Sequence, residues 1–162
     1  MRLAVWILLG FAACTTRSGV PPKFILVPDR AEDLRFLDVH KYGIAYQAGV
    51  VTSTEVGVRV EPRRSVQMLP DRERPYLAAV VRVAGQGRTE EAAAAVAKIG
   101  EPQFIREVLI DFEGDASAGR EMVAEVRRIL PGKPVALFRD AIGERRFLAS
   151  PAPWSAGALA GR

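Results

Sequence analysis

Between Tyr76 and Phe138 the apolar residues follow two rhythms that take turns. Tyr76 to Val83 (YLAAVVRV) is a nearly unbroken apolar run, the pattern of a strand buried on both faces. Helical spacing follows, with Ala92, Val96 and Ile99 as the inner stripe. Thr89 is the expected N-cap of this helix. Glu90 and Glu91 fall in its first turn, where the helix dipole favours negative charge, and Gly100 with Pro102 ends it. Val108 to Glu113 (VLIDFE) returns to strand character. Asp115 or Ser117 is expected to cap a second helix, with Met122, Val126, Ile129 and Leu130 on its apolar stripe. Arg127 and Arg128 sit in its last turn, and Pro131-Gly132 stops it. Pro134 to Phe138 (PVALF) is a third strand. The order β-α-β-α-β with short loops predicts parallel strands and right-handed crossovers.

Upstream the pattern is shorter and more polar. Phe24 to Val27 reads as a strand, and Leu34, Phe36 and Leu37 are the expected burial points of a mixed stretch over residues 29–41. Gly43 to Val51 and Val56 to Val60 are strand-like and joined by Thr52-Ser53-Thr54-Glu55, which predicts a hairpin. Residues 61–75 carry Pro62, Pro70, Pro75 and many charges, and are expected to be a loop or irregular edge. The domain is expected to span residues 24–149. Residues 150–162, rich in Pro, Ala, Gly and Ser, are expected to form a loose tail.

The first residues have a different character. Met1-Arg2 is a short positive start, Leu3 to Phe11 is apolar throughout, and Ala12-Ala13 are small residues just before Cys14. Charge, apolar core and small cleavage residues is the order of an export signal, here residues 1–13. The apolar run is shorter than the roughly 20 residues that span a bilayer. Cys14 is the single cysteine of the chain, so no intramolecular disulfide can form. The stretch Phe11-Ala12-Ala13-Cys14 resembles the bacterial lipobox, with Phe11 where Leu is usual. The resemblance implies that Cys14 is the lipidation site, followed by a tether over residues 14–23 that contains Pro21-Pro22. The chain is then expected to be exported and held at the cell envelope, on the periplasmic side or at the outer membrane. The net charge of +4 is carried mainly by Arg and is compatible with anionic surfaces. Nucleic acid is not an expected partner of an exported chain.

Candidate chemistry centres on the strand VLIDFE. Side chains alternate along a strand, so Leu109, Asp111 and Glu113 share one face, while Ile110 and Phe112 turn towards a helix. Two carboxylates at the C-terminal end of a parallel strand stand where α/β sheets place reacting groups. A paired set, one held protonated by its neighbour, is what glycoside hydrolysis uses. On that reading Glu113 is the general acid, Asp111 its neighbour, Arg82 a charge partner and Trp154 a stacking platform for a sugar ring. The structural alternative pairs Asp111 with Arg82 of the neighbouring strand, while Glu113 and Asp115 end the strand and cap the next helix.

Other motifs carry less. Gly85-Gln86-Gly87 lies between a strand and a helix, as a dinucleotide loop does, yet Glu90 and Glu91 would repel phosphate there. His40 is the sole histidine, so neither a multi-histidine metal site nor a Ser-His-Asp triad is supported, and no cofactor or metal is expected. His40 itself is expected to be solvated. Arg59, Arg63, Arg64, Arg72 and Arg74 interleave with Glu61, Asp71 and Glu73, which predicts a salt-bridged surface.

The runs FLDVHKYGIAYQAGVV, VGVRVEPRRSVQMLP, YLAAVVRV and VLIDFEGDASAGREMVAEVRRILPGKPVALF, in that order, resemble an uncharacterised bacterial family known as domain of unknown function 3142. The resemblance covers about residues 36–138. It implies an α/β fold that forms part of a (β/α) barrel similar to glycoside hydrolases, with the hairpin-like segment preceding the parallel core. It implies no established activity. Asp111-Phe112-Glu113 stands where the family has Asp-x-Asp, and ALFRD replaces its polar fifth-strand end. Of the chitinase-type pattern Asp-x-x-Asp-x-Asp-x-Glu, Asp111 and Glu113 match, while Arg106 and Leu109 occupy the other acidic positions. Two functions are therefore expected. One is an envelope lipoprotein with a non-catalytic binding or structural domain, its partners a membrane, a glycan, an envelope protein or a second copy of itself. The other is a glycoside hydrolase acting on envelope or extracellular glycans.

Overall fold

The computed structural model describes residues 19–71 and 73–150. Cys14, Arg72 and Trp154 lie outside the described residues, as do the expected signal segment, the first part of the tether and nearly all of the expected tail. The strands are β1 (Lys23–Val27), β2 (Glu32–Asp33), β3 (Gly43–Thr54), β4 (Gly57–Pro62), β5 (Gln67–Met68), β6 (Leu77–Ala84), β7 (Ile105–Phe112), β8 (Val135–Leu137) and β9 (Arg146–Ala149). The helices are α1 (Thr89–Gly100), α2 (Ala116–Ile129) and α3 (Phe138–Glu144).

Six strands pair in parallel in the order β8-β7-β6-β3-β1-β9, and the sheet curls into half of a β/α barrel. β4 adds antiparallel to β3 as the expected hairpin. Its turn is closed by Thr54, whose hydroxyl donates to the Gly57 carbonyl (2.9 Å) and accepts from the Gly57 N–H (3.3 Å). β3 serves two neighbours on one edge: residues 43–46 pair with β1 and residues 49–54 with β4. The change of neighbour falls at a register shift between Gln47 and Gly49, where Ala48 is the extra residue. Arg63 N–H donates to the Ala48 carbonyl there.

The sheet has two differently covered faces. On the convex side Val51, Val81, Val83, Val108 and Ile110 pack under α1 and α2. The helix faces supply Ala92, Val96, Met122 and Val126. Gly100 is required at the end of α1, since a Cβ there would collide with Val108. Burial of these apolar residues supplies the main drive to fold. On the concave side Phe24, Ala45, Ala78, Val80 and Leu109 form a second cluster, completed by Ala141, Phe138 and Phe147. The short α3 therefore lies inside the curl, in contact with β7, β8 and β9. Phe24 stacks on Phe147 (5.4 Å between ring centroids) and meets Phe138 through it edge-on (5.2 Å).

Several local expectations are corrected. Arg88, not Thr89, is the N-cap of α1, with no side-chain cap bond, so Thr89 is already helical. Asp115 is the cap of α2, accepting from the Ser117 and Ala118 N–H groups at 2.8 and 2.9 Å. Ile129 is 38% exposed, and Gly119 and Val123 take its place on the buried stripe. Leu34 is fully buried and Leu37 packs partly buried against the same cluster, but Phe36, in the turn between them, is 60% exposed. Residues 61–75 are not all loop: β4 runs to Pro62, and β5 pairs with β2. The strand expected to reach Phe138 stops at Leu137, where α3 begins.

Candidate functional site

Asp111 near the C-terminal end of β7 and Glu113 just after it stand on the concave side of the sheet. Leu109, two residues before Asp111, packs in the concave cluster, and Ile110 packs in the convex one, so the alternation runs as expected. Both carboxylates are exposed. Gly114 turns the chain out of the strand, and the Glu113 N–H is held by the Val83 carbonyl at 2.8 Å. The strand end is fixed while the acidic side chain stays in solvent.

Arg82 lies opposite Asp111 in the β6–β7 register. Its side chain is 53% exposed. It pairs with Glu113 rather than Asp111: Arg82 Nη2 stands 3.5 Å from Glu113 Oε2. Arg139, at the start of α3, donates to the Phe112 and Gly114 carbonyls (3.3 and 3.4 Å) and adds a second guanidinium to this end. The cluster is thus two acids and two arginines on an open surface. It can meet a charged or polar partner. It is not enclosed: none of the three cavities described below is lined by Asp111 or Glu113. Trp154, the expected stacking platform, lies outside the described residues.

The opposite end of the same face holds an ion pair that the sequence reading missed. Glu107 is 1% exposed. Arg145, between α3 and β9, donates to both its oxygens, at 2.6 and 2.9 Å. The Tyr76 hydroxyl adds a third bond at 3.4 Å, and burial beside the Glu107 charge pushes Tyr76 up to about 12. A buried carboxylate with all these partners ties β7, β6 and β9 together.

Arg63 is a second missed feature. Expected on a salt-bridged surface, its side chain is only 9% exposed. Its guanidinium donates to the carbonyls of Pro28, Arg30, Gln47 and Ser65, at 2.7 to 3.1 Å. Burial pushes this guanidinium below its ordinary value. It clamps the end of β1 to β3 and the loop after β4. Asp29 supports the clamp by accepting from the Ser65 N–H at 3.1 Å. Arg59, Arg64 and Arg74 are exposed as expected, with Arg59 paired to Glu61 at 3.1 Å. His40 is exposed and faces Glu73 at 3.0 Å.

Three concavities stand out among the described residues. A groove of about 860 Å³ follows the free edge of β8 between α2 and α3. Three of the cations that line it, Arg127, Lys133 and Arg145, are already engaged. Arg127 donates to the Val135 carbonyl (2.6 and 3.0 Å), which blunts the strand edge. Lys133 satisfies the carbonyls that end α1, those of Gly100, Glu101 and Pro102. A shallow site of about 330 Å³ lies near Arg35 and His40. The third, of about 250 Å³, lies at the starts of α1 and α2. Beside it the Gly85-Gln86-Gly87 loop has a role unlike a phosphate cradle. Gly85 has φ +83°, and a Cβ there would collide with the Ser53 carbonyl. A Cβ on Gly87 would stand 2.6 Å from the Thr54 carbonyl oxygen. These glycines seat the loop on the β3–β4 hairpin.

Among the described residues no group of three or more His, Cys, Asp or Glu side chains is placed to hold a metal, and no helix is long and apolar enough to cross a membrane. Comparison of the chain with protein-family models, with curated proteins and with solved structures finds no match.

Proposed function

We propose that this chain is a lipoprotein of the bacterial cell envelope, anchored through Cys14, whose half-barrel domain binds or scaffolds rather than turns over a substrate. The observation that carries this reading is the order at the N-terminus: Met1-Arg2, the apolar run Leu3 to Phe11, Ala12-Ala13, then the single cysteine. The fold agrees with a short tether. β1 starts at Lys23, so the chain enters the domain at the N-terminal ends of the parallel strands. That is the end sealed by Glu107 and Arg145. On this reading an anchor at Cys14 lies nearer the sealed end than the open end that carries Arg82, Asp111 and Glu113. The resemblance to domain of unknown function 3142 belongs to the same reading and adds no activity to it.

A binding role is favoured over catalysis by the exposed, Arg82-paired state of Glu113. The observation on the other side is that Asp111 and Glu113 share the open end of the concave face, which keeps a glycoside hydrolase as the second reading. Fractionation of cells making the full chain tests the anchor. The protein is expected with the membranes, and Cys14→Ser is expected in the soluble exported fraction. Wild-type protein in the soluble fraction contradicts the reading. A glycan panel tests the second reading: turnover that disappears in Glu113→Gln establishes the hydrolase, and no turnover by the wild type removes it.

A further inference from the structure

The crevice at the starts of α1 and α2 is on the convex side of the sheet, across from Asp111 and Glu113. It opens at the C-terminal ends of β3, β6 and β7. Val83, Phe112 and Met122 give it an apolar floor, and Ser53, Thr89 and Glu121 are polar residues around it. Its volume of about 250 Å³ is enough for a molecule the size of one sugar ring.

Ser53 is the feature that points to a ligand. It is 4% exposed, and its hydroxyl has no hydrogen-bond partner. Buried hydroxyls are almost always paired, because leaving one unpaired forfeits its bonds to water. Val51, two residues earlier on β3, packs under the helices, so Ser53 faces the helix side too, and it lines the crevice directly.

The surrounding charges narrow the chemistry. Asp115 and Glu121 line the crevice, and Glu90 stands in the first turn of α1, where Glu91 is paired with Arg88 at 2.7 Å. These carboxylates oppose an anion. The positive ends of two helices of 12 and 14 residues meet there, which opposes a bare cation. A neutral hydroxyl suits both, since it donates to a carboxylate and accepts from an N–H or from another hydroxyl. An apolar floor with an aromatic residue suits the carbon skeleton between the hydroxyls.

We propose that this crevice binds a small neutral polyhydroxyl compound, with the Ser53 hydroxyl as the buried hydrogen-bonding group. The proposal depends neither on the Cys14 anchor nor on any catalytic role of Glu113. The full chain, isotopically labelled and held in detergent, is titrated with glucose and with glycerol, and with inorganic phosphate as the anionic comparison. The backbone amide signals of Gly85, Gly87 and Ala118 are followed. Saturable shifts are expected with glucose or glycerol and not with phosphate. Ser53→Ala is expected to weaken binding about tenfold, the effect of one lost hydrogen bond. The melting temperature of Ser53→Ala should be unchanged or higher, because the hydroxyl removed has no partner in the protein. The proposal is overturned by absence of saturable shifts with both polyols, by equal affinity in Ser53→Ala, or by shifts with phosphate alone. A lower melting temperature in Ser53→Ala also overturns it, since the hydroxyl would then already hold a structural bond.

Discussion

The concave face carries two acid–arginine pairs, and their surroundings make them different objects. Glu107 and Glu113 both belong to the β7 segment, six positions apart. At the lower end Arg145 meets Glu107 at 2.6 Å, with side chains 12% and 2% exposed. At the upper end Arg82 stands 3.5 Å from Glu113, with side chains 53% and 59% exposed. α3 accounts for the contrast. It crosses the curl from β8 to β9 and packs Phe138, Ala141 and Arg145 over the lower half, while at the open end only its Arg139 reaches the strand-end carbonyls. Below it, charges are dry and must be paired. Above it, they are wet and free to exchange partners. The same chemistry is architecture at one end and an accessible surface at the other.

Substitutions can break this contrast, and the largest effect belongs to the sealed end. Arg145→Met leaves Glu107 buried without its cation and should cost about 3–5 kcal/mol in urea unfolding. Adding Glu107→Leu should restore much of that loss, because the desolvation penalty then disappears as well. Failure of the double substitution to recover stability would show that the pair does more than satisfy itself. The Arg63 clamp comes next. Arg63→Leu leaves four carbonyls without this donor and should cost about 2–3 kcal/mol.

The cap of α2 predicts a pH dependence. The Ala118 and Ser117 N–H groups hold the Asp115 carboxyl below its ordinary value. Its contribution is therefore full above the unfolded carboxylate pKa of about 4 and is lost as the pH falls through the lower folded value. Asp115→Ala should melt below wild type at pH 7, and the gap should close in acid. A gap that stays constant with pH would place the effect outside the ionised cap. The smallest effects belong to the open end. Arg82→Ala and Glu113→Gln should each change stability by less than about 0.5 kcal/mol. A cost near that of Arg145→Met at either position would erase the distinction between the two ends.

The β-α-β-α-β core was readable because each element buries one regular face: the unbroken apolar run of β6 and the Met122–Val126 stripe of α2 announce themselves. The hairpin was readable from two β-rich runs around a polar link. α3 was not, because seven residues with Ala141 as the one buried side chain leave no periodic trace. Its lid over the concave face, and hence Arg145 beside Glu107, depends on a crossover of the curled sheet that no local pattern contains. Arg63 looked like its neighbours in a charged, proline-rich stretch, and only the convergence of four carbonyls distinguishes it. The shared face of Asp111 and Glu113 followed from strand alternation alone, whereas the choice of Glu113 as the partner of Arg82 depends on side-chain reach across β6 and β7. Ser53 carried no signal in sequence, since a hydroxyl near a hairpin turn is ordinary until its burial is known.

On the proposed reading, the contrast between the two ends gains its meaning from the anchor, because an attachment at Cys14 would set the sealed end nearer the membrane than the open end. The most direct test is the mass of the mature N-terminus, measured on protein purified from membranes. The account predicts a chain that begins at Cys14 and carries acyl mass on that residue. A chain that retains Met1, or that begins at an unmodified Cys14, contradicts it.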